Sequence, residues 1–243
     1  MLAEKLQQYR ALLPRLTAFE KQDWEENFLV EFTHDSTSIE GNTISLLGTK
    51  MILTDGIIPA ETSVREYEEI QGHASAWGYV KDCVKNKVPL TEDILKNIHE
   101  KVLPRPGVGG IYRSVPVYIR GASHVPPNPR KVWDEMKNFC YRLEHDAFQT
   151  PVEKAAWVHA DFVRIHPFQD GNGRTARLLM NYILLENAYP PVTIKKRTAE
   201  RYFKTLDVYA TTGDLAPFYA LLQEKLEEGL DGFLEMYGVH LSE

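Results

Sequence analysis

The sequence predicts an all-α fold that carries one small β-hairpin. Apolar residues recur at helical spacing along most of the 243-residue chain, and caps, prolines and glycines divide that pattern into segments. Only the stretch 104–129 is too rich in glycine and proline to form a long helix. Because 43% of the residues are hydrophobic, the chain can bury a substantial core, and we expect a single domain over 1–243.

The N-terminal part is predicted to contain several helices before the irregular stretch begins. Small polar residues interrupt the apolar rhythm after Phe32, so we expect a separate short helix that ends at Gly41. A long helix begins at Thr62 or Ser63, and the next begins at Thr91 and stops before Pro104. The helical segments expected here are 2–16, 24–32, 33–41, 46–55, 62–80 and 91–103.

The irregular stretch is predicted to contain a strand. Val115, Val117 and Ile119 alternate with Ser114, Pro116 and Tyr118, which is typical of an edge strand, and the turn is expected near 121–124. Such an edge can pair with an extended segment of another protein, or it can simply cover the core. The residues predicted to form the docking edge are Val117, Tyr118, Ile119, Arg120 and Gly121.

The C-terminal part is again helical. A stripe over 132–143 precedes a strong helix start at Thr150-Pro151, and that helix ends at His166-Pro167 because a residue before proline is disfavoured in the α region. The next helix runs from Arg174 to about Ala188, so that 151–190 forms a helix–loop–helix. Thr198 and Asp214 are expected to cap two final helices within 198–243.

Composition excludes several classes of protein. A net charge of −6 disfavours a nucleic-acid binder, which needs an excess of Lys and Arg. No segment approaches the roughly 18 consecutive apolar residues of a membrane span. The two cysteines, Cys83 and Cys140, lack metal-type spacing and are expected to be packed, reduced thiols, so we expect a cytoplasmic protein.

The stretch from His166 to Arg177, HPFQDGNGRTAR, combines the residue types that bind and attack a polyphosphate. Gly171, Asn172 and Gly173 precede a helix whose first amides and dipole favour an anion. Arg174 and Arg177 lie about one helical turn apart and can grip oxygens of the same polyphosphate.

Two further side chains of this stretch are candidates for chemistry. Asp170 is suited to Mg²⁺, which takes one or two carboxylates together with phosphate and water. His166 can accept a proton from an incoming hydroxyl. No zinc-binding, serine-hydrolase or P-loop pattern occurs, and His159 lies on an apolar stripe and is expected to be packed.

This stretch resembles the signature of Fic-domain proteins, HxFx[DE]GNGRxxR, and every fixed position matches. The likeness extends to the preceding helix, the expected hairpin and the YPPVTI segment from Tyr189 to Ile194, and it covers most of 1–222.

The resemblance implies an all-α fold with a β-hairpin flap and transfer of AMP from ATP to a Ser, Thr or Tyr hydroxyl of a target protein. It implies that His166 is the base, that Asp170 binds Mg²⁺, and that Arg177 orients the γ phosphate. By the same resemblance, the segment from Gly171 to Arg174 binds the α and β phosphates.

The polar segment upstream resembles the inhibitory motif [ST]xxxE[GN] of the same family, with Ser36, Glu40 and Gly41 at the matching positions. Its place before the catalytic core resembles the class whose inhibitory helix is N-terminal. A Glu40 carboxylate paired with Arg177 would occupy the arginine that should bind the γ phosphate. An exposed glutamate at an ordinary helix end is the alternative.

Several alternatives remain open from sequence. The same scaffold can serve a bifunctional or predominant de-AMPylase, transfer of another phosphate-containing group, or a nucleotide-binding interaction module without catalysis. A homodimer is a further possibility, and the role of the helix expected over 226–237 is undetermined.

Overall fold

A computed structural model describes residues 2–103, 107–119 and 121–238. The secondary structure of these residues consists of ten α-helices, one π-helical turn and one 3₁₀ turn. The α-helices are α1 Leu2–Leu12, α2 Ala18–Ile39, α3 Leu46–Lys50, α4 Val64–Lys85, α5 Glu92–Val102, α6 Pro129–His145, α7 Pro151–Ile165, α8 Asn172–Glu186, α9 Ala199–Thr212 and α10 Ala216–Tyr237. The π-helical turn is Met51–Asp55 and the 3₁₀ turn is Lys196–Thr198. A helix that could cross a membrane does not occur within the described ranges.

Local capping chemistry starts α4, α5 and α7 at the places that the sequence predicts, whereas the Thr198 side chain does not cap α9 and the N-cap residue of α10 is Leu215 rather than Asp214. Ser63 and Thr91 cap α4 and α5 with their side-chain oxygens. At the start of α7, the Thr150 hydroxyl accepts a hydrogen bond of 3.0 Å from the Glu153 amide, and Pro151 occupies the first turn. These caps supply partners for amides that lack an intrahelical acceptor, so they define where the helices begin.

The core is centred on α7 and α8, which pack against each other and are surrounded by α2, α4, α5, α6, α9 and α10. Helix α8 is buried on all sides along most of its length, as expected for a central helix. Its buried apolar residues are Leu178, Leu179, Met180, Tyr182, Ile183 and Leu184. Each fully buried large apolar side chain contributes about 1.5–3 kcal/mol, so the helix that carries Arg174 and Arg177 is held firmly.

The predicted break between an apolar helix and a short polar helix over 33–41 is wrong, because α2 continues from Ala18 to Ile39. The polar residues do not end the helix, since their side chains have partners in the packed core. The Thr37 hydroxyl donates to the carbonyl of Thr33 at 2.8 Å, and the Thr33 hydroxyl lies 3.1 Å from His73 Nδ1 on α4. The polar half of α2 is therefore a buried helix face.

The C-terminal helix packs within this chain. Leu6, Tyr9, Leu12 and Leu16 of the N-terminal segment form a separate apolar cluster with Leu230, Phe233 and Tyr237 of α10. On the surface nearby, Lys5 Nζ lies 2.7 Å from Asp231. The first and last helices thus cover each other.

The predicted β-hairpin is wrong for the described part of 104–129, where no strand occurs. Two carbonyls of this stretch bind a side chain and not a partner strand: the Arg113 guanidinium donates to those of Val115 and Pro127 at 3.1 and 2.6 Å. The amides of Ser123 and His124 donate to Asp207 Oδ1 at 2.8 and 3.1 Å. Several backbone groups at the ends of the segment are thus bound by side chains, and the described part of the segment is an extended loop. Pro104 and Arg120 lie outside the described residues.

Candidate active site

The loop between α7 and α8 has two residues in the left-handed region. His166 ends α7 with φ 51° and ψ 59°, and Gly171 precedes α8 with φ 76°. The first is unusual for a residue with a side chain and is stabilised by its surroundings, because the Arg113 guanidinium donates to the His166 carbonyl at 2.7 Å. The chain is thereby turned so that His166 and the start of α8 lie close together.

Asn172 fixes the same loop from within. Its amide group donates to the Phe168 carbonyl at 2.9 Å and accepts from the Phe168 amide at 2.9 Å. Phe168 is fully buried. The Asn172 side chain is thus a brace of the loop, and its contribution to an anion site comes from its backbone amide.

A histidine that sequence reasoning passed over lies behind the loop. His99 Nδ1 accepts from the Gly110 amide at 2.9 Å, and Nε2 lies 2.9 Å from the Asp170 carbonyl. The His99 ring stacks on Phe168 with centroids 3.5 Å apart and an interplanar angle of 4°. Burial lowers the pKa of His99 to about 4, so the ring is neutral at physiological pH.

The start of α8 has the properties of an anion site. The first bond of the helix runs from the Thr175 amide to the Gly171 carbonyl, so the amides of Asn172, Gly173 and Arg174 have no intrahelical acceptor. The Arg174 side chain is buried, and its Nε and Nη1 have no hydrogen-bond partner among the described residues. Guanidinium donors without a protein partner are available to bind an anion.

Asp170 is placed at the mouth of this site. Its Oδ1 accepts from the Gly171 amide at 2.6 Å and from Arg174 Nη2 at 3.1 Å, and 52% of its side chain is exposed. Partial burial opposes ionisation, but the charge of Arg174 and the Gly171 amide keep the pKa of Asp170 below its ordinary value. The group is an available carboxylate at neutral pH.

Arg177 is buried and is bound by the end of α2. Its Nε donates to the Ser36 hydroxyl at 2.9 Å, and its Nη2 donates to the Ser36 carbonyl at 2.7 Å and to Glu40 Oε1 at 2.8 Å. The Glu40 carboxylate also lies directly over Gly173, where an added Cβ would collide with Oε1. Glu40 therefore occupies space beside Arg177 at the N-terminus of α8.

The other side of Arg177 contacts a buried pair on α9 and α7. Arg177 Nη1 donates to the Tyr202 hydroxyl at 3.2 Å, and that hydroxyl lies 3.0 Å from His159 Nε2. Burial, with a further effect of Arg177, lowers the pKa of His159 well below its ordinary value. A neutral His159 accepts from Tyr202, so the expectation of a packed, hydrogen-bonded histidine is confirmed.

His166 is prepared to act as a base. Its Nδ1 lies 3.2 Å from the Val163 carbonyl, and since a carbonyl only accepts, Nδ1 carries the proton and Nε2 is free to accept one. Burial lowers the pKa of His166, while the Val163 carbonyl and Glu40 oppose that change. A lowered pKa keeps the imidazole neutral at pH 7.

Glu40, His166, Gly173 and Tyr202 border one cleft of about 340 Å³, and Arg174 and Arg177 lie on the same helix as Gly173. One wall holds Glu40, His166 and Gly173, and α9 supplies the partly exposed Phe203 together with Leu206 and Ala210. The extended loop closes a third side. Its lining residues are Ile119, Gly121, Ala122 and His124.

The sequence-predicted site residues are thus brought together from distant parts of the chain, with the segment 36–41 placed on the α8 terminus. Of the predicted docking edge, Ile119 and Gly121 line the cleft, Val117 is half-buried and Tyr118 is exposed, while Arg120 lies outside the described residues. Asn181, one turn beyond Arg177 on α8, is buried and binds the backbone of Val192 at 2.7 and 2.9 Å.

Sequence reasoning missed the residues that hold the site in shape. Asn42, directly after the inhibitory motif, is buried and donates to Glu69 Oε2 at 3.0 Å and to the Glu66 carbonyl at 3.1 Å. Glu69 Oε1 in turn lies 3.8 Å from Arg174 Nη1. Asn42, His99 and Arg113 belong to no recognisable local pattern, because most of their partners lie far away in sequence.

Comparisons with known proteins agree on one family. The model of the Fic/DOC family matches residues 89–184. The protein adenylyltransferase Fic of Culex quinquefasciatus is 38% identical over 215 residues, which are 86% of this chain and 42% of that protein. The chain therefore spans less than half the length of this curated relative.

Two solved structures are similar over nearly the whole chain. A Fic domain containing signaling protein from Bacteroides thetaiotaomicron VPI-5482 has 29% identity and a TM-score of 0.88, with 95% of this chain and 94% of that chain covered. A fragment of Fic-1 from C. elegans with one glutamate-to-glycine substitution has 30% identity and a TM-score of 0.82, with 96% and 70% covered.

Proposed function

The chain belongs to the Fic/DOC family, and from that premise we propose that it is a protein adenylyltransferase, which moves AMP from ATP to a Ser, Thr or Tyr hydroxyl of a target protein. One observation carries the proposal most directly. A neutral imidazole whose Nε2 can accept a proton borders the same cleft as Gly173 at a helix N-terminus, and the next residue of that helix, Arg174, is buried with unpartnered donors. Base and anion site are the two requirements of phosphoryl or nucleotidyl transfer.

The triphosphate is expected to lie along the N-terminus of α8. The amides of Asn172, Gly173 and Arg174 and the unpartnered nitrogens of Arg174 would bind the α and β phosphates. Arg177 would bind the γ phosphate once Glu40 has moved away. The nucleoside would enter the cleft toward Phe203 and Leu206, where an apolar surface suits a base.

Mg²⁺ fits the residues present. Asp170 offers one half-exposed carboxylate next to the proposed phosphates, and Mg²⁺ commonly takes one or two protein carboxylates while phosphates and water complete its shell. The ion would neutralise charge on the phosphates and the departing pyrophosphate. Within the described ranges no group of three or more potential metal ligands forms a metal site without substrate.

The transfer itself needs one proton movement and one displacement. His166 Nε2 takes the proton of the target hydroxyl as its oxygen bonds to the α phosphorus. The bond from that phosphorus to the bridging oxygen breaks, and pyrophosphate leaves with the electron pair. The products are an AMP-modified protein and pyrophosphate, and the proton remains on His166 until solvent removes it.

The target segment is expected to approach along Val117 to Gly121, whose Ile119 and Gly121 border the cleft. This edge is an extended loop, so a target would pair with its backbone groups by main-chain hydrogen bonds.

The position of Glu40 supports the proposal of auto-inhibition. Its carboxylate takes Arg177 Nη2 and lies over Gly173, so the γ phosphate and the carboxylate compete for one place. ATP would then bind only in an unproductive position. Ser36 adds two contacts to the same guanidinium.

The test compares α- and γ-labelled ATP with the wild type, Glu40→Gly and the double variant Glu40→Gly/His166→Ala. We expect label from α-labelled ATP alone on protein hydroxyls, an increase with Glu40→Gly, and its loss when His166 is also replaced. Glu61→Gly, at an exposed glutamate before α4, is the matched control and should behave as wild type. Label from γ-labelled ATP would instead show phosphate transfer, and no transfer by any variant would indicate a binding module.

Removal of AMP from a modified protein is a second candidate activity. Glu40 borders the same cleft as His166 and is about one third exposed, so it could orient a water toward the α phosphorus. Release of AMP from a pre-modified substrate should then require Glu40 and be lost in Glu40→Gly.

A cytoplasmic location and a homodimer stay predictions, as does the absence of nucleic-acid and membrane partners.

A further inference from the structure

We infer that His99 is a positioning residue for the metal-binding part of this site: it holds the main chain at Asp170, so that the Asp170 carboxylate and the first amides of α8 face the same ligand. The inference rests on the proposed function, because it concerns how that site receives Mg²⁺ and nucleotide. His99 lies on α5, outside the signature that suggested the site, 71 residues from Asp170.

The two hydrogen bonds of His99 determine which nitrogen carries the proton. The Gly110 amide can only donate, so Nδ1 accepts, and the Asp170 carbonyl can only accept, so Nε2 donates. The ring therefore bridges two backbone groups of opposite character. A side chain that keeps only one of these functions would keep only one of the two contacts.

The ring has little freedom to move. His99 is fully buried and stacks on Phe168, which is buried too. On its other edge, Gly171 has no Cβ, and an added one would lie 3.2 Å from His99 Nε2. The ring thus fits tightly between the loop and the rest of α5. Because it cannot move, its Nε2 fixes the position of the Asp170 carbonyl.

The contact acts on the carboxylate through the short chain between them. The Asp170 side chain accepts from the amide of the next residue, Gly171, at 2.6 Å, so the Asp170–Gly171 peptide carries both the His99 contact and the carboxylate contact. Rotation of that peptide would move the carboxylate and tilt the amides that follow. Loss of the Nε2 donor therefore should weaken metal binding before it affects the proton transfer at His166.

Two near-isosteric substitutions separate the roles of the two nitrogens. His99→Gln places an amide donor near the position of Nε2 and can preserve the Asp170 contact. His99→Asn places an amide oxygen near Nδ1 and can preserve only the Gly110 contact. Both variants remove the ring, so they lose the Phe168 stack equally and differ in the bond at issue.

The measurement is Mn²⁺ binding by electron paramagnetic resonance in the Glu40→Gly protein with a non-hydrolysable ATP analogue, together with the Mg²⁺ dependence of AMP transfer. Loss of a residue that orients a metal ligand typically weakens metal binding about 10- to 100-fold. We expect a weakening of at least about 10-fold for His99→Asn and within about threefold for His99→Gln. At saturating Mg²⁺, kcat should change little in either variant.

Equal Mn²⁺ affinities for the two variants, or wild-type affinity in His99→Asn, would overturn the inference. If His99→Asn does not fold, His99→Leu replaces it, since leucine fills the same space but cannot donate to the Asp170 carbonyl. A Mn²⁺ affinity of His99→Leu equal to that of His99→Gln would also overturn the inference. If the Glu40→Gly protein binds Mn²⁺ and nucleotide but transfers no AMP, the proposed function is refuted. The role of His99 is then still tested by comparing the Mn²⁺ affinities of His99→Asn and His99→Gln.

Discussion

Glu40→Gln changes the contact between Glu40 and Arg177 with very little change of shape. The carboxylate oxygen lies 2.8 Å from Arg177 Nη2, and a glutamine oxygen can accept the same bond. The Ser36 hydroxyl and carbonyl still bind the guanidinium. The substitution therefore removes charge and leaves the other contacts of the inhibitory helix in place.

The size of the effect follows from the kind of bond that is lost. A hydrogen bond to a charged group contributes about 1.5–3 kcal/mol, and a glutamine oxygen still accepts such a bond from the charged Arg177. Glu40→Gln therefore removes only the attraction between opposite charges, which is about 0.2–1 kcal/mol for an exposed pair. Because 33% of the Glu40 side chain is exposed, solvent screens the pair, and we take the difference as about 1 kcal/mol. That corresponds to about a fivefold shift toward productive nucleotide binding. Glu40→Gly loses the whole bond and should give about 10- to 100-fold.

The assay is the initial rate of AMP incorporation at ATP concentrations well below saturation, for wild type, Glu40→Gln and Glu40→Gly. The expected order is wild type, then glutamine, then glycine. Glu61→Gln is the matched control for removing a surface charge. Equal rates for wild type and both variants would show that Glu40 does not compete with the γ phosphate. Equal activation by both would show that charge, and not occupancy above Gly173, carries the inhibition.

Three other predictions concern the loop that carries His166. Burial lowers the pKa of His166, and Glu40→Gly removes a group that raises it, so kcat/KM of that variant should fall only as the pH drops below about 6.5, which a pH–rate profile measures. Arg113→Ala leaves the buried carbonyls near His166 without their donor and should cost about 3 kcal/mol in urea unfolding; an unchanged midpoint would contradict this bracing role. Asn172→Ala breaks both bonds to Phe168 and should cost about 2 kcal/mol and most of the activity, whereas Gln169→Ala, at an exposed neighbour, should cost neither.

Much of the fold could be predicted because helix starts and stops are local. Thr150 and Pro151 begin α7, and His166-Pro167 ends it, through contacts within about four residues. The two wrong predictions are local as well: a helix break at the polar residues near Ser36 and a strand at the alternating residues near Val117. Tertiary partners decided both, since His73 and Arg177 satisfy the polar face of α2 and Arg113 satisfies the carbonyls of the loop.

The sequence by itself determined the chemistry that is available: a histidine, a carboxylate, a glycine-rich helix start and two arginines within twelve residues. The tertiary structure decided what those groups contact. Glu40 reaches Arg177 across 137 residues, and His99 reaches the Asp170 carbonyl across 71. Local spacing cannot specify such pairs, because their geometry depends on how α2 and α5 pack against α8, and that packing follows from burial of the whole apolar core.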